Sequence, residues 1–119
     1  MFIRDLKDCA EFIAGDNTRL RELFNPPKDQ IELRYSLAHA RLAPGLESTA
    51  HKLRTSEVYY ILEGAGEMRI DGEARNVGPG QAIYIPPHAV QNIRNTGETE
   101  LVFICMVDPA WRPEDEEVL

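Results

Sequence analysis

Short alternating runs, broken again and again by turn residues, limit what this chain can become. From Glu57 onward the breaks fall at Gly64, Gly66, Asp71-Gly72, Pro86-Pro87 and Asn95-Thr96-Gly97. Gly-Ala-Gly and Asp-Gly mark tight turns, and a proline pair stops a strand because it removes backbone donors. Between the breaks lie residues 57–63, 66–70, 73–77, 82–85, 90–94 and 101–107, none with a helical period. With the alternating run 31–42, a strand at His51 and the segment 19–24 if extended, they make about eight or nine strands, a pattern that means a sandwich or a barrel. The expected fold class is all-β. A length of 119 residues fits one domain with a real apolar core and no need of staples.

Side chains two apart on a strand share a face. Glu57, Tyr59 and Ile61 therefore point one way, and Val58, Tyr60 and Leu62 the other. In 31–42, the set Ile31, Leu33, Tyr35, Leu37, His39 and Arg41 is read as mostly inward, with Glu32, Arg34, Ser36, Ala38 and Ala40 opposite. On that reading His39 is either a core histidine held by a hydrogen bond or a pocket donor. Gln91 and Ile93 share a face, and the apolar run Leu101 to Val107 is expected to be buried on both sides. Residues 1–30 read as an N-terminal extension, in which Arg19 to Phe24 is a short helix or an edge strand ended by Pro26-Pro27. Residues 108–119 read as an irregular acidic tail. Its run Glu114 to Glu117 is expected to be solvated, and Trp111 to lie outside the barrel or at a subunit contact.

The chemistry concentrates between Gly45 and Gly64, in the stretch that carries His51 and Glu57. If the chain reverses near Arg54 to Ser56, these two face each other across a hairpin, and an imidazole and a carboxylate on one buried face begin a metal site. The spacing resembles the first motif of the cupin family: Gly45, five residues, His51, then Glu57, six residues and Gly64, with Leu53 where that family has a second His. The second motif resembles Gly80, five residues, Pro86, ending at Asn95, with His88 in place of a glycine and Gln91 in place of the third metal-binding His. The resemblance spans roughly residues 31–107.

It implies a cupin-like double-stranded β-helix, a jelly-roll β-barrel of the small conserved-barrel type, over 31–107. It also implies a small-molecule ligand in the barrel and a homodimer. The metal positions of the family are met here by His51, Glu57 and Gln91, a degenerate set compatible with a divalent ion (Fe, Mn, Ni, Zn or Cu) and equally with a metal-free hydrogen-bond network. Pocket positions are His39, Leu53, Tyr59, His88 and Ile93, with His88 also readable as a solvated loop residue. Three functional classes stay open: a binding or sensing module, an enzyme of dioxygenase, isomerase or lyase type, and a structural dimer whose barrel is filled by Leu53, Tyr59 and Ile93.

Several classes are disfavoured. A net charge of −7, from 20 acidic and 13 basic residues, argues against nucleic acid and anionic membrane as partners. The two cysteines, Cys9 and Cys105, are far apart and form no metal-like pair; Cys105 reads as a small buried hydrophobe. No serine lies in a nucleophile elbow and no glycine loop precedes a helix. The first residues lack an apolar stretch of signal-peptide length, so the expected location is the cytoplasm.

Overall fold

In the computed structural model, which describes residues 1–119, the alternating runs pair into two antiparallel sheets. The strands are β1 (Phe12–Ile13), β2 (Arg19–Phe24), β3 (Ser36–Leu42), β4 (His51–Leu53), β5 (Ser56–Glu63), β6 (Gly66–Ile70), β7 (Glu73–Val77), β8 (Ala82–Ile85), β9 (Gln91–Asn95), β10 (Leu101–Asp108) and β11 (Glu116–Val118). One sheet runs β1-β2-β3-β10-β5-β8 and the other β11-β4-β9-β6-β7. Helix is confined to one turn at Pro26–Asp29 and two 3-10 turns. No helix is long and apolar enough to cross a membrane. The inner faces meet in a core that includes Ala40, Leu42, Ile61, Met68, Ile93 and Phe103. The Tyr59 and Phe103 rings pack at 4.6 Å within it.

The turn chemistry holds as the residues demand. Asp71 and Gly72 have φ of 48° and 84°, the two positive values that a type I′ hairpin needs between β6 and β7. Gly64, at φ 86°, has a further reason to be glycine. A Cβ there would lie 2.5 Å from the Glu100 carbonyl oxygen.

Four expectations are corrected and one open alternative, at Arg19–Phe24, is decided. First, β3 begins at Ser36, and its inner face is the set with small side chains: Ser36, Ala38, Ala40 and Leu42. His39 and Arg41 point outward. Arg41 there forks onto Glu11 at 2.6 and 2.7 Å and reaches Glu100 at 3.1 Å. A guanidinium facing the core would have had no such partners, and that decides the parity. Second, Arg19–Phe24 is a strand paired to β3, with Arg21 opposite His39. Third, β10 is buried on one side only; Val102, Ile104 and Met106 form part of an uncovered outer face.

Fourth, His51 and Glu57 do not face across a hairpin. The chain steps from one sheet to the other at Arg54-Thr55, so β4 and β5 belong to opposite layers. Fifth, the acidic tail is not free. Asp115 accepts two hydrogen bonds from Arg112 at 3.0 Å, and β11 then pairs with the open edge of β4.

Candidate functional site

Between the sheets lies a cavity of about 740 Å³. Its apolar wall includes Leu20, Leu53, Phe103, Val107 and Trp111, and its polar wall includes Asp16, His51, Glu57, Tyr59 and Glu116. Opposite sheets supply the two motif residues. β4 brings His51, which is opposite Gln91 of β9, and β5 brings Glu57 and Tyr59.

His51 is 3% exposed. Its Nδ1 donates to the Thr49 carbonyl oxygen at 2.8 Å. A carbonyl only accepts, so Nδ1 carries the hydrogen and a neutral ring leaves Nε2 as an acceptor on the cavity side. Glu57 is 7% exposed, and its Oε1 accepts from Gln91 Nε2 at 2.9 Å. Gln91 Oε1 in turn accepts from the Tyr59 hydroxyl at 3.1 Å. The amide is thus held at both ends, in one orientation. Burial pushes the Glu57 carboxyl up to about 8, against the pull of the Gln91 hydrogen bond and helped by the negative Asp16 and Glu116. At neutral pH most of it is therefore an uncharged acid. Burial also raises the Tyr59 hydroxyl and the Cys105 thiol.

Two polar residues of the cavity wall escape sequence reading. Asp16 sits in the turn before β2. Its Oδ1 accepts from the Thr18 amide and hydroxyl at 3.1 and 2.7 Å, which leaves Oδ2 at 3.8 Å from His51 Nε2. Glu116, on β11, lies opposite Leu53, and its Oε2 would touch a Cβ on Gly15 at 3.7 Å. Burial pushes the Glu116 carboxyl upward. The Asp-Asn-Thr turn was visible in the sequence, but nothing local says that either end of the chain folds over the barrel.

The positions named from sequence divide as follows. His51, Glu57, Tyr59 and Leu53 stand on the cavity wall, and Gln91 stands behind it, fastening Glu57. His39 is on the outer sheet face, because the inner face of β3 is taken by alanines. His88 is exposed at φ 68°; its turn projects the side chain outward while its amide donates to the Leu53 carbonyl at 2.7 Å. Ile93 is 0% exposed in the core and does not reach the cavity. The barrel is not filled, so Leu53 and Tyr59 line space rather than close it.

The donor set does not fit the divalent ion that the motif positions imply. Leu53 offers no donor, and the Gln91 amide is spent at both ends on Tyr59 and Glu57. No three His, Cys, Asp or Glu side chains converge as a metal site.

Fold and site define a jelly-roll barrel built around an internal cavity with one polar wall. A model of the cupin domain family matches residues 38–107, and the chain belongs to the cupin family. An uncharacterized protein of Methanocaldococcus jannaschii, MJ1618, is 39% identical over 109 residues, covering 91% of this chain and 86% of that one. Among solved structures, the polyketide cyclase RemF of Streptomyces resistomycificus aligns over 100% of this chain and 85% of its own, with a TM-score of 0.83 and 22% identity. A cupin 2 conserved barrel domain protein of Salinispora arenicola aligns over 96% and 91%, with a TM-score of 0.78 and 22% identity. At such identities the two structures speak for the fold alone.

Proposed function

We propose that this cupin binds a small organic molecule inside the barrel without a resident metal. One observation carries the reading. The buried Tyr59–Gln91–Glu57 chain occupies the amide that would otherwise ligate, and leaves Glu57 Oε2 and His51 Nε2 facing an otherwise largely apolar cavity. Pockets of this size and make-up, apolar with a few fixed polar groups, are how small ligands are held and oriented. The test is a thermal-shift screen of the purified protein against sugars, sugar phosphates, small carboxylic acids and small amines. Stabilisation by one class that is lost in His51→Ala supports the reading. No shift from any class removes it.

An acid–base enzyme is the second reading. It is favoured by a buried carboxyl that titrates near 8 and shares a cavity with an imidazole. It requires a substrate whose turnover disappears in Glu57→Gln while the fold is intact.

For assembly we propose a homodimer through the outer face of the larger sheet. Leu37, Met106, Val58 and Tyr84 line up in one row across four strands, and His39, Ile104, Tyr60 and Ala82 in the next. Contiguous exposed apolar faces mark interaction sites, and a two-fold pairing would cover this one with its own copy.

A further inference from the structure

The polar end of the cavity contains charge that the cupin motif does not explain. Asp16 comes from the N-terminal turn and Glu116 from the last strand, and both lie outside the residues matched by the family model. The nearest protein group that can carry positive charge here is the His51 ring itself, 3.8 Å from Asp16 and charged only when protonated. The cations at the far end of the cavity, Arg4 and Lys28, are paired with Asp29 and Glu22 at 3.0 Å. An independent observation comes from His51. Its side chain is 3% exposed, and its Nε2 has no hydrogen-bond partner, the nearest charged atom being Asp16 Oδ2 at 3.8 Å.

We propose that this end of the cavity receives the ammonium group of a small organic amine, held by Asp16 and Nε2 of His51, with Glu116 adding negative charge to the same wall. The inference rests on the reading of the barrel as a small-molecule binder. With Nδ1 donating to Thr49, a neutral ring presents Nε2 as an acceptor beside the Asp16 carboxylate, and an ammonium supplies N–H donors to both. A separation of 3.8 Å between Nε2 and Oδ2 lets one nitrogen bond to both at ordinary lengths. The carbon skeleton then lies against Leu20, Leu53, Phe103 and Trp111. An anionic ligand would meet two uncompensated carboxylates, and a neutral alcohol would leave acceptors unmatched.

Three probes of one shape test this: benzylamine, benzyl alcohol and benzoate, titrated into the intact protein and followed by amide chemical shifts of the cavity residues. Benzylamine is expected to bind at least about tenfold more tightly than benzyl alcohol, and benzoate weakest. Glu116→Gln and Asp16→Asn should each cut the preference for benzylamine over benzyl alcohol to less than about threefold. Asparagine at 16 keeps an Oδ1 for Thr18, and position 116 is only half-buried, so at least one variant tests the pocket in a folded protein. Benzyl alcohol or benzoate binding as well as the amine overturns the inference and leaves the small-molecule reading intact. Failure of all three to shift any cavity residue at millimolar concentration overturns the inference, while the small-molecule reading falls only if the wider screen fails as well.

Discussion

Glutamine at position 91 decides what Glu57 can be. Its amide donates to the carboxyl without bringing a charge, so burial wins and the acid stays protonated to about pH 8 rather than the ordinary 4.5. The native state then holds a proton that the unfolded chain has already released. Stability from this residue is present below the unfolded value and is lost as pH rises from about 4.5 through about 8. Urea unfolding of wild type between pH 5 and pH 9 should show a falling midpoint. Glu57→Gln should flatten that fall and be the more stable protein above pH 8, by a few kcal/mol at most. A parallel fall in the variant would assign the effect to other groups.

The missing imidazoles are also testable at this scale. Leu53→His with Gln91→His is expected to raise divalent-metal occupancy to near one ion per chain after incubation with Ni or Zn, read by elemental analysis. Wild type should carry no more metal than His51→Ala. The motif made His51, Glu57 and Gln91 legible in the sequence, because their spacing is local. A hydrogen bond from Gln91 to Glu57 was within the metal-free reading of the sequence; its second anchor was not, since it comes from Tyr59, 32 residues away. Asp16 and Glu116 were invisible because the contact that makes each of them matter, with His51 or Leu53, spans over thirty residues of chain.

Among the elements, turns were the most legible and parity the least. Gly64 and Gly72 both have positive φ, but only Gly64 has backbone against it. Gly64→Ala should therefore destabilise the barrel by well over about 1 kcal/mol, and Gly72→Ala by only about that amount. Thermal denaturation of the two variants decides it, and equal losses would mean that the Glu100 carbonyl moves aside at little cost. In β3 the apolar count favoured the wrong face. Large side chains sit outside, alanines sit inside, and the space beneath Ala38 belongs to the cavity. Periodicity finds a strand, yet it does not say that a cavity rather than a core lies under it. The strand β11 had the alternation of Glu116 and Val118, but its acidic composition read as solvated tail. What holds it is the otherwise open edge of β4.

At the scale of the molecule the larger sheet keeps an apolar outer face, with Tyr84 64% and Tyr60 45% exposed. A charge at its centre should break a two-fold pairing. Wild type is expected to sediment as a dimer at micromolar concentration and Tyr60→Glu as a folded monomer. A wild-type monomer at that concentration would remove the homodimer. The two-sheet plan and most strand bounds were readable from the turns alone. The uncovered face was not, because the apolar run of β10 reads the same whether one side or both are covered.

The last strand has three residues, two of them exposed, and it lies at the margin of its sheet. Margins of this kind detach well before a barrel melts. When β11 lifts, Glu116 leaves and the wall beside Gly15 parts, so capture strength and access fall to the same short segment. Mild heating or clipping of the final residues should thus release cargo from a body that still unfolds cooperatively at its usual temperature.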